Sequence, residues 1–372
     1  MKLFGYSFGD SGELRVNMGK SIKSIMRVFI FLVIICLLIV WLSYLLRPID
    51  VYRTVISGYY AEPKDTLDAV YIGGSVCFKY WMPLTAWNEH GYTSYNFSTD
   101  ALPPQLIKYY VTEALKTQSP RLFIIDVRPF EFGDVKIAKD LTYMYREAAL
   151  RRGIDSFNYS LNRADMIKNC VPDEQLKLEY YFDIIKYHAN FDQLSAESFR
   201  YSFNKRKNYT KGYTVLAERA DVVKNDFSDI SELKPITPNM EGLLIDLTDH
   251  LERLDIKALF IVAPYPIYVE NDQKVHNYMG EIITERGFDF LDCNKCYDDI
   301  GLDFETDFYD NNHVNVLGAL KYTQFLSGYL HDRYEFEDKR NDPAYASWHE
   351  DYRLFSKDID KAAGEIVFAR AD

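Results

Sequence analysis

The chain has 372 residues, enough for one large domain or two small ones, and its 30 Tyr and 24 Phe make a globular composition unusually aromatic. A formal net charge of -12 argues against nucleic acid or any other strongly anionic partner, and leaves neutral or cationic ones open.

The first predicted element is the apolar run "VFIFLVIICLLIVWLSYLL", residues 28–46, which carries no charge. At about 1.5 Å per residue it nearly matches a hydrocarbon core of roughly 30 Å. Arg15, Lys20, Lys23 and Arg27 precede it, against Asp10 and Glu13 alone. The positive-inside rule then places the tail, residues 1–27, in the cytoplasm and residue 47 onward across the cell membrane. The run is too long for the apolar part of a cleaved signal peptide, and "LLRPID" follows it in place of a small-x-small site. A buried core helix is the remaining alternative to a single-pass anchor. Residues 47–66, mixed and polar with Pro48, Gly58 and Pro63, read as a connector.

Strand–helix alternation then begins. "LDAVYI" (67–72) predicts a strand. "MPLTAWNEHG" (82–91) predicts a short helix with Pro83 early and Gly91 past its end. "YTSYNF" (92–97) predicts a second strand, and "LPPQLIKYYVTEALKTQ" (102–118) has helical spacing at Leu106, Tyr110, Ala114 and Leu115. "RLFIIDV" (121–127) is a third strand, continuous and apolar as buried parallel strands are. Residues 131–250 break the pattern: polar, aromatic, mostly helical, without a clear strand, and with a basic-aromatic loop "SFNKRKNYTKGYT" (202–214). Alternation resumes with a strand in "IKALFIVAP" (256–264). A helix over 270–286 follows, with Val275, Met279 and Ile282 on one face and Gly287 as its stop. "FDFLDC" (288–293) is a fifth strand, "VLGALKYTQFLSGYL" (316–330) a final strong helix, and 332–372 a charged peripheral extension. The pattern predicts an α/β domain over 67–331, a three-layer α/β/α arrangement around a five-strand parallel sheet. Residues 131–250 are then an insertion packed near the sheet's carboxyl edge, where ligands bind in open α/β sheets.

Two places in this frame carry chemistry. Gly73-Gly74-Ser75 follows the first strand, where glycine allows close backbone approach and a serine would open the next helix. Ser75 is either a helix N-cap or an exposed nucleophile beside backbone N–H groups that face a developing oxyanion. "DNNH" (310–313), just before the last helix, spaces Asp310 and His313 so that a turn brings the carboxylate to one ring nitrogen and leaves the other free. That is a base with its orienting group; an Asx turn beside an incidental histidine is the plainer reading. No GxGxxG or Walker lysine pattern is present, which leaves nucleotide binding unsupported. Of the five cysteines, Cys36 lies in the apolar run and Cys77 and Cys170 are single. Cys293 and Cys296 form a lone "CNKC", open to half a zinc site, a redox pair, a disulfide or two free thiols, and the lack of a second CxxC or an HxxxH argues against zinc. No metal and no cofactor is expected.

A serine after strand one and a D-x-x-H after strand five resemble the SGNH/GDSL hydrolase superfamily. The matching blocks are "IGGS" (72–75), "YNFSTDA" (95–101), "PRLFIIDVRP" (120–129) and "DNNH" (310–313). The resemblance implies a flavodoxin-like five-strand sheet and a catalytic Ser75, His313 and Asp310. The chain departs from the pattern in three places. Gly74 replaces an Asp, Ser98 a Gly, and Asp126-Val127-Arg128-Pro129 a Gly-x-Asn-Asp. Oxyanion or substrate contacts then fall to the Ser75 N–H with Gly74, Asn96, Ser98 or Arg128; Arg128 could instead bind an anionic substrate group or pair with Asp126. The layout is similar to the membrane-anchored branch that includes teichoic-acid D-alanylation and alginate O-acetylation proteins. That likeness implies a serine esterase or O-acyltransferase acting on envelope glycan or an acylated carrier, beside a membrane-bound O-acyltransferase. A non-catalytic scaffold or glycan-binding subunit of the same fold is the competing expectation.

Overall fold

The computed structural model describes residues 11–368, with side chains from 22 to 366. Residues 1–10 of the expected cytoplasmic tail, and the side chains of Arg15 and Lys20, lie outside the described part.

Five parallel strands form the central sheet: β1 Ala69–Ile72, β2 Ser94–Asn96, β3 Leu122–Asp126, β4 Ala258–Val262 and β5 Asp289–Asp292. Each falls inside a strand predicted above. Every residue of β1 to β4 is buried, and only the edge strand β5 is partly exposed. This is why the inner runs are continuously apolar and not alternating. The spatial order is β2-β1-β3-β4-β5, with Tyr71 of β1 paired to both Asn96 and Ile124. The chain leaves β1 towards one edge and crosses back to build the other, so the switch point lies between β1 and β3. In doubly wound sheets of this order, ligands bind at the carboxyl ends of those two strands.

Helices Ser75–Tyr80 and Pro83–His90 follow β1 and pack against the long helix Val316–Tyr334, whose Tyr322 hydroxyl meets that of Tyr71 at 3.1 Å. Ile107–Ala114 and Pro238–Arg253 form a second packed pair. Pro83 at the first helical turn and Gly91 in the left-handed cap, φ +79°, bound the Pro83–His90 helix as expected.

The supposed connector is instead part of the core. Val51–Ala61 is a helix capped by Asp50, and it buries Val55, Ile56, Tyr59 and Tyr60. Tyr59 stacks on Phe97 at 4.2 Å and donates to the Ala114 carbonyl at 3.0 Å. Arg53, Ser57, Gly58 and Glu62 dilute its apolar stripe in sequence, yet Arg53 is itself buried. Its guanidinium donates to the Tyr44 and Arg47 carbonyls, each at 2.6 Å, and so satisfies the end of the N-terminal helix Ser11–Leu46. Within that helix Ile22–Leu46 is long and apolar enough to cross a membrane.

Two other expectations need correction. The insertion does contain strands: Lys136–Ala138 pairs with Leu141–Thr142. Its last helix, Pro238–Arg253, packs against Ile107–Ala114 and Arg128–Phe132 and buries Met240, Leu244, Leu247 and Leu251. The extension is not merely peripheral, because helix Ala346–Phe368 buries Trp348, Phe355, Ile359 and Ala362, and Trp348 lies 5.4 Å from Trp87. Its apolar residues recur every three to seven positions on one helical stripe. The basic-aromatic loop is fastened rather than free: buried Lys211 meets Glu62 at 2.8 Å and Asp351 at 3.2 Å.

Candidate active site

The turn after β1 depends on Gly73. Its φ is +157°, and a Cβ there would lie 2.4 Å from the Asp126 Cβ and 2.8 Å from the Cys77 Sγ. Only glycine lets the chain pass this close to the end of β3. Gly74 is the N-cap of the helix that follows and contributes no side chain. Ser75 is the first helical residue, so its hydroxyl does not cap the helix. It lies 2.8 Å from His313 Nε2.

The position before Ser75 has a physical reason to lack an acid. A Cβ on Gly74 would sit 3.5 Å from Asp126 Oδ2, and that oxygen accepts the Gly74 N–H at 3.3 Å. A carboxylate at position 74 would face the Asp126 carboxylate. Burial already pushes Asp126 up to about 6, against the opposing pull of Arg128 and of the Arg128 and Gly74 backbone N–H groups.

His313 reaches Ser75 from a small hairpin. Phe308–Asp310 runs antiparallel to His313–Val314, and Asp310 pairs directly with His313. Both Asp310 carboxylate oxygens lie 3.0 Å from His313 Nδ1. The Asn312 N–H donates to Asp310 Oδ1 at 2.7 Å, and the Tyr80 hydroxyl donates to the Asn312 carbonyl at 2.9 Å. The hairpin is thus tied to the end of the Ser75 helix. Asn315 then caps the last helix, accepting the Leu317 N–H at 2.9 Å.

Electrostatics select one tautomer. Burial tends to raise the Asp310 pKa, but the bonds from His313 and from backbone N–H groups outweigh it and hold the carboxyl below its ordinary value. An ionised carboxylate only accepts, so Nδ1 carries the proton and Nε2 presents a lone pair to Ser75. Burial lowers the His313 pKa, Asp310 opposes, and the positive charges of Lys79 and Arg128 lower it further. The ring is therefore neutral at pH 7 and ready to take the Ser75 proton.

These groups open on a cleft of about 370 Å³. It is lined by Gly74, Ser75 and Val76 from the turn after β1, by Asp100 to Leu102 from the segment after β2, and by Asp126, Arg128, Pro129 and Phe132 from the end of β3 and just beyond it. Val135 and Tyr143 of the insertion and Asn312 and His313 of the hairpin complete the lining. Of the oxyanion or substrate candidates, Gly74 and Arg128 line the cleft, whereas Asn96 and Ser98 are fully buried outside it. Asn96 ends β2 and donates to the Trp81 carbonyl at 2.8 Å. That correction leaves the Ser75 N–H, which has no carbonyl one turn earlier in its helix, as the main-chain donor nearest the nucleophile.

Sequence reasoning passed over Asp100, which lines the cleft and pairs with Arg152 of the insertion at 2.8 Å. It also found no partner for His276, whose Nε2 lies 3.1 Å from Glu131 and 3.3 Å from the Tyr265 hydroxyl. Glu131 precedes His276 by 145 positions, too far for any spacing rule to join them. All five cysteines are free, with Cys293 buried in the turn after β5. Among the described residues no group of His, Cys, Asp and Glu side chains could hold a metal ion. No protein-family model matches the chain, and no curated protein matches it.

Proposed function

We propose that this chain is a serine esterase or O-acyltransferase of the SGNH/GDSL type, forming an acyl-enzyme on Ser75. The observation that carries the reading is the continuous relay of Ser75 Oγ, His313 and Asp310, at 2.8 and 3.0 Å, opening into a cleft at the sheet's switch point. Ser75 Oγ attacks an ester carbonyl carbon while His313 Nε2 takes its proton. The oxyanion forms beside the Ser75 N–H. Collapse expels the alcohol, which leaves with the proton from Nε2, and the acyl group stays on Ser75. Water or a sugar hydroxyl then attacks the acyl carbon by the reverse sequence, with His313 again as base.

The acyl donor or acceptor in this reading is an envelope glycan or an acylated carrier, handled beside a membrane-bound O-acyltransferase. Its support is the resemblance in layout: a candidate span followed by a domain of this kind. The helix window that fits a bilayer is 0 % buried against the rest of the chain. Exposed Ile185, Phe191 and Phe199 lie on short helices that pack against this N-terminal helix, and the Phe199 ring lies 6.5 Å from that of Trp41. Apolar and aromatic side chains at this level suit a membrane interface, with Lys23 and Arg27 at the other end on the cytoplasmic side.

One observation favours a second reading, a scaffold or glycan-binding subunit without turnover: Asn96 and Ser98 supply no side-chain donor to the cleft. The test is ester hydrolysis by the detergent-solubilised chain and its Ser75→Ala variant. Loss of several orders of magnitude with an unchanged melting curve supports the enzyme. Equal rates in the two proteins would sink it.

A further inference from the structure

Arg128 lines the Ser75 cleft and is only 6 % exposed. Its guanidinium carbon lies 3.8 Å over the centre of the Tyr265 ring and 5.4 Å from that of Phe132. A guanidinium this deep keeps its proton and normally meets a carboxylate or a set of carbonyls. The other buried arginines do so. Arg163 meets Asp183 at 2.8 Å, and Arg53 is surrounded by backbone carbonyls. Arg128 does not. Among the described residues no carboxylate lies within ion-pair distance of it. Its Nη1 and Nη2 reach only the Asn312 carbonyl and Oδ1, each at 3.4 Å, the far edge of hydrogen-bond range. Among the described residues its Nε has no partner. The nearby acids are engaged elsewhere: Asp126 accepts the Gly74 and Arg128 backbone N–H groups, and Glu131 faces His276.

Burying an unmatched charge is costly unless a ligand completes it. The surroundings also hold the fork still. Tyr265, the platform beneath it, is fixed by its own N–H donating to Asn294 Oδ1 at 2.9 Å and by its hydroxyl against His276. A stacked, planar guanidinium with free donors suits two-point recognition of a carboxylate or phosphate.

We propose that Arg128 is the anion-recognition residue of this cleft, and that the ester placed at Ser75 carries a carboxylate or phosphate group held on its guanidinium. The inference rests on the acyl-transfer reading and names its substrate class.

The experiment uses the full chain in detergent at pH 8, where His313 is neutral with or without Arg128. Three esters are compared: 4-nitrophenyl acetate, mono-4-nitrophenyl succinate with the charge in the acyl half, and O-acetyl glycerol 3-phosphate with the charge in the alcohol half. Wild type should favour at least one anionic ester in kcat/KM, and which one identifies the half that bears the charge. In Arg128→Gln that preference should fall by roughly 100-fold, mainly through KM, and Arg128→Lys should retain part of it. A wild type without preference would overturn the proposal. So would an Arg128→Gln that slows neutral and anionic esters by the same factor, because the guanidinium would then serve the oxyanion or the fold. Succinate and inorganic phosphate are tested in parallel by thermal shift. If no ester is turned over but either anion raises the melting temperature of wild type and not of Arg128→Gln, the anion site stands and acyl transfer falls. If neither anion binds, the anion site falls whatever the turnover.

Discussion

Asp310→Asn changes one atom type and tests the relay most finely. In the native hairpin both carboxylate oxygens lie 3.0 Å from His313 Nδ1, and Oδ1 also accepts the Asn312 N–H at 2.7 Å. An asparagine keeps the second bond only by turning its carbonyl to Asn312. That carbonyl still reaches Nδ1, but the amide NH2 takes the Oδ2 position, also 3.0 Å from Nδ1, where it meets the ring N–H donor to donor and needs an acceptor instead. The ring responds by carrying its proton on Nε2, which sets a donor against Ser75 Oγ in place of a base. The negative charge that stabilises the imidazolium disappears as well. A wrong tautomer in such a relay costs about 10⁴ in rate, so a fall of roughly 10³–10⁴ in kcat for 4-nitrophenyl acetate is expected near pH 7. The residue is part-exposed and its backbone bond survives, so the melting temperature should move little. A variant folded like wild type and within tenfold of its rate would refute the role given to Asp310.

Three further predictions follow from the same geometry. Because burial and the charges of Lys79 and Arg128 hold the His313 pKa down, kcat/KM should fall only below about pH 6.5, as the ring gains its proton; Lys79→Met should move that limb upward. Gly73→Ala should destabilise the domain by about 2–4 kcal/mol, given its φ and the 2.4 Å approach to Asp126, whereas Gly74→Ala finds its nearest contact at 3.5 Å and should melt close to wild type; equal melting of the two would contradict the turn described. Asp126 is raised from 3.8 to about 6, so folding favours its protonated form. Its contribution is full below pH 4 and is lost as pH rises through about 6, a change of about 3 kcal/mol at roughly 1.4 kcal/mol per pH unit. Denaturant melts of wild type and Asp126→Asn should therefore diverge between pH 4 and 6, and parallel curves would refute the burial argument.

The sheet was legible because its inner strands β1, β3 and β4 are local, largely apolar runs bounded by turns, and burial on both faces leaves that signature in consecutive residues. The Ser75 turn and the Asp310–His313 pair were legible for the same reason: each is a contact within a few positions. Side-chain direction at the end of β2 was not. Whether Asn96 faces the cleft or Trp81 depends on the pleat and on register with β1, which composition does not encode. The helices Val51–Ala61 and Ala346–Phe368 were hidden by charged residues that either bury themselves, as Arg53 and Asp351 do, or occupy the outer face of an apolar stripe. The isolation of Arg128 had no sequence signal, because it consists of what its neighbours bond to instead.

The most direct test of the central claim is covalent. The purified full-length chain is treated with a fluorophosphonate and the adduct is mapped by mass spectrometry, with His313→Ala alongside. One adduct is expected, on Ser75, forming at least about a thousandfold more slowly without His313. Adduct on another residue, or labelling of Ser75 at the same rate in both proteins, would contradict it.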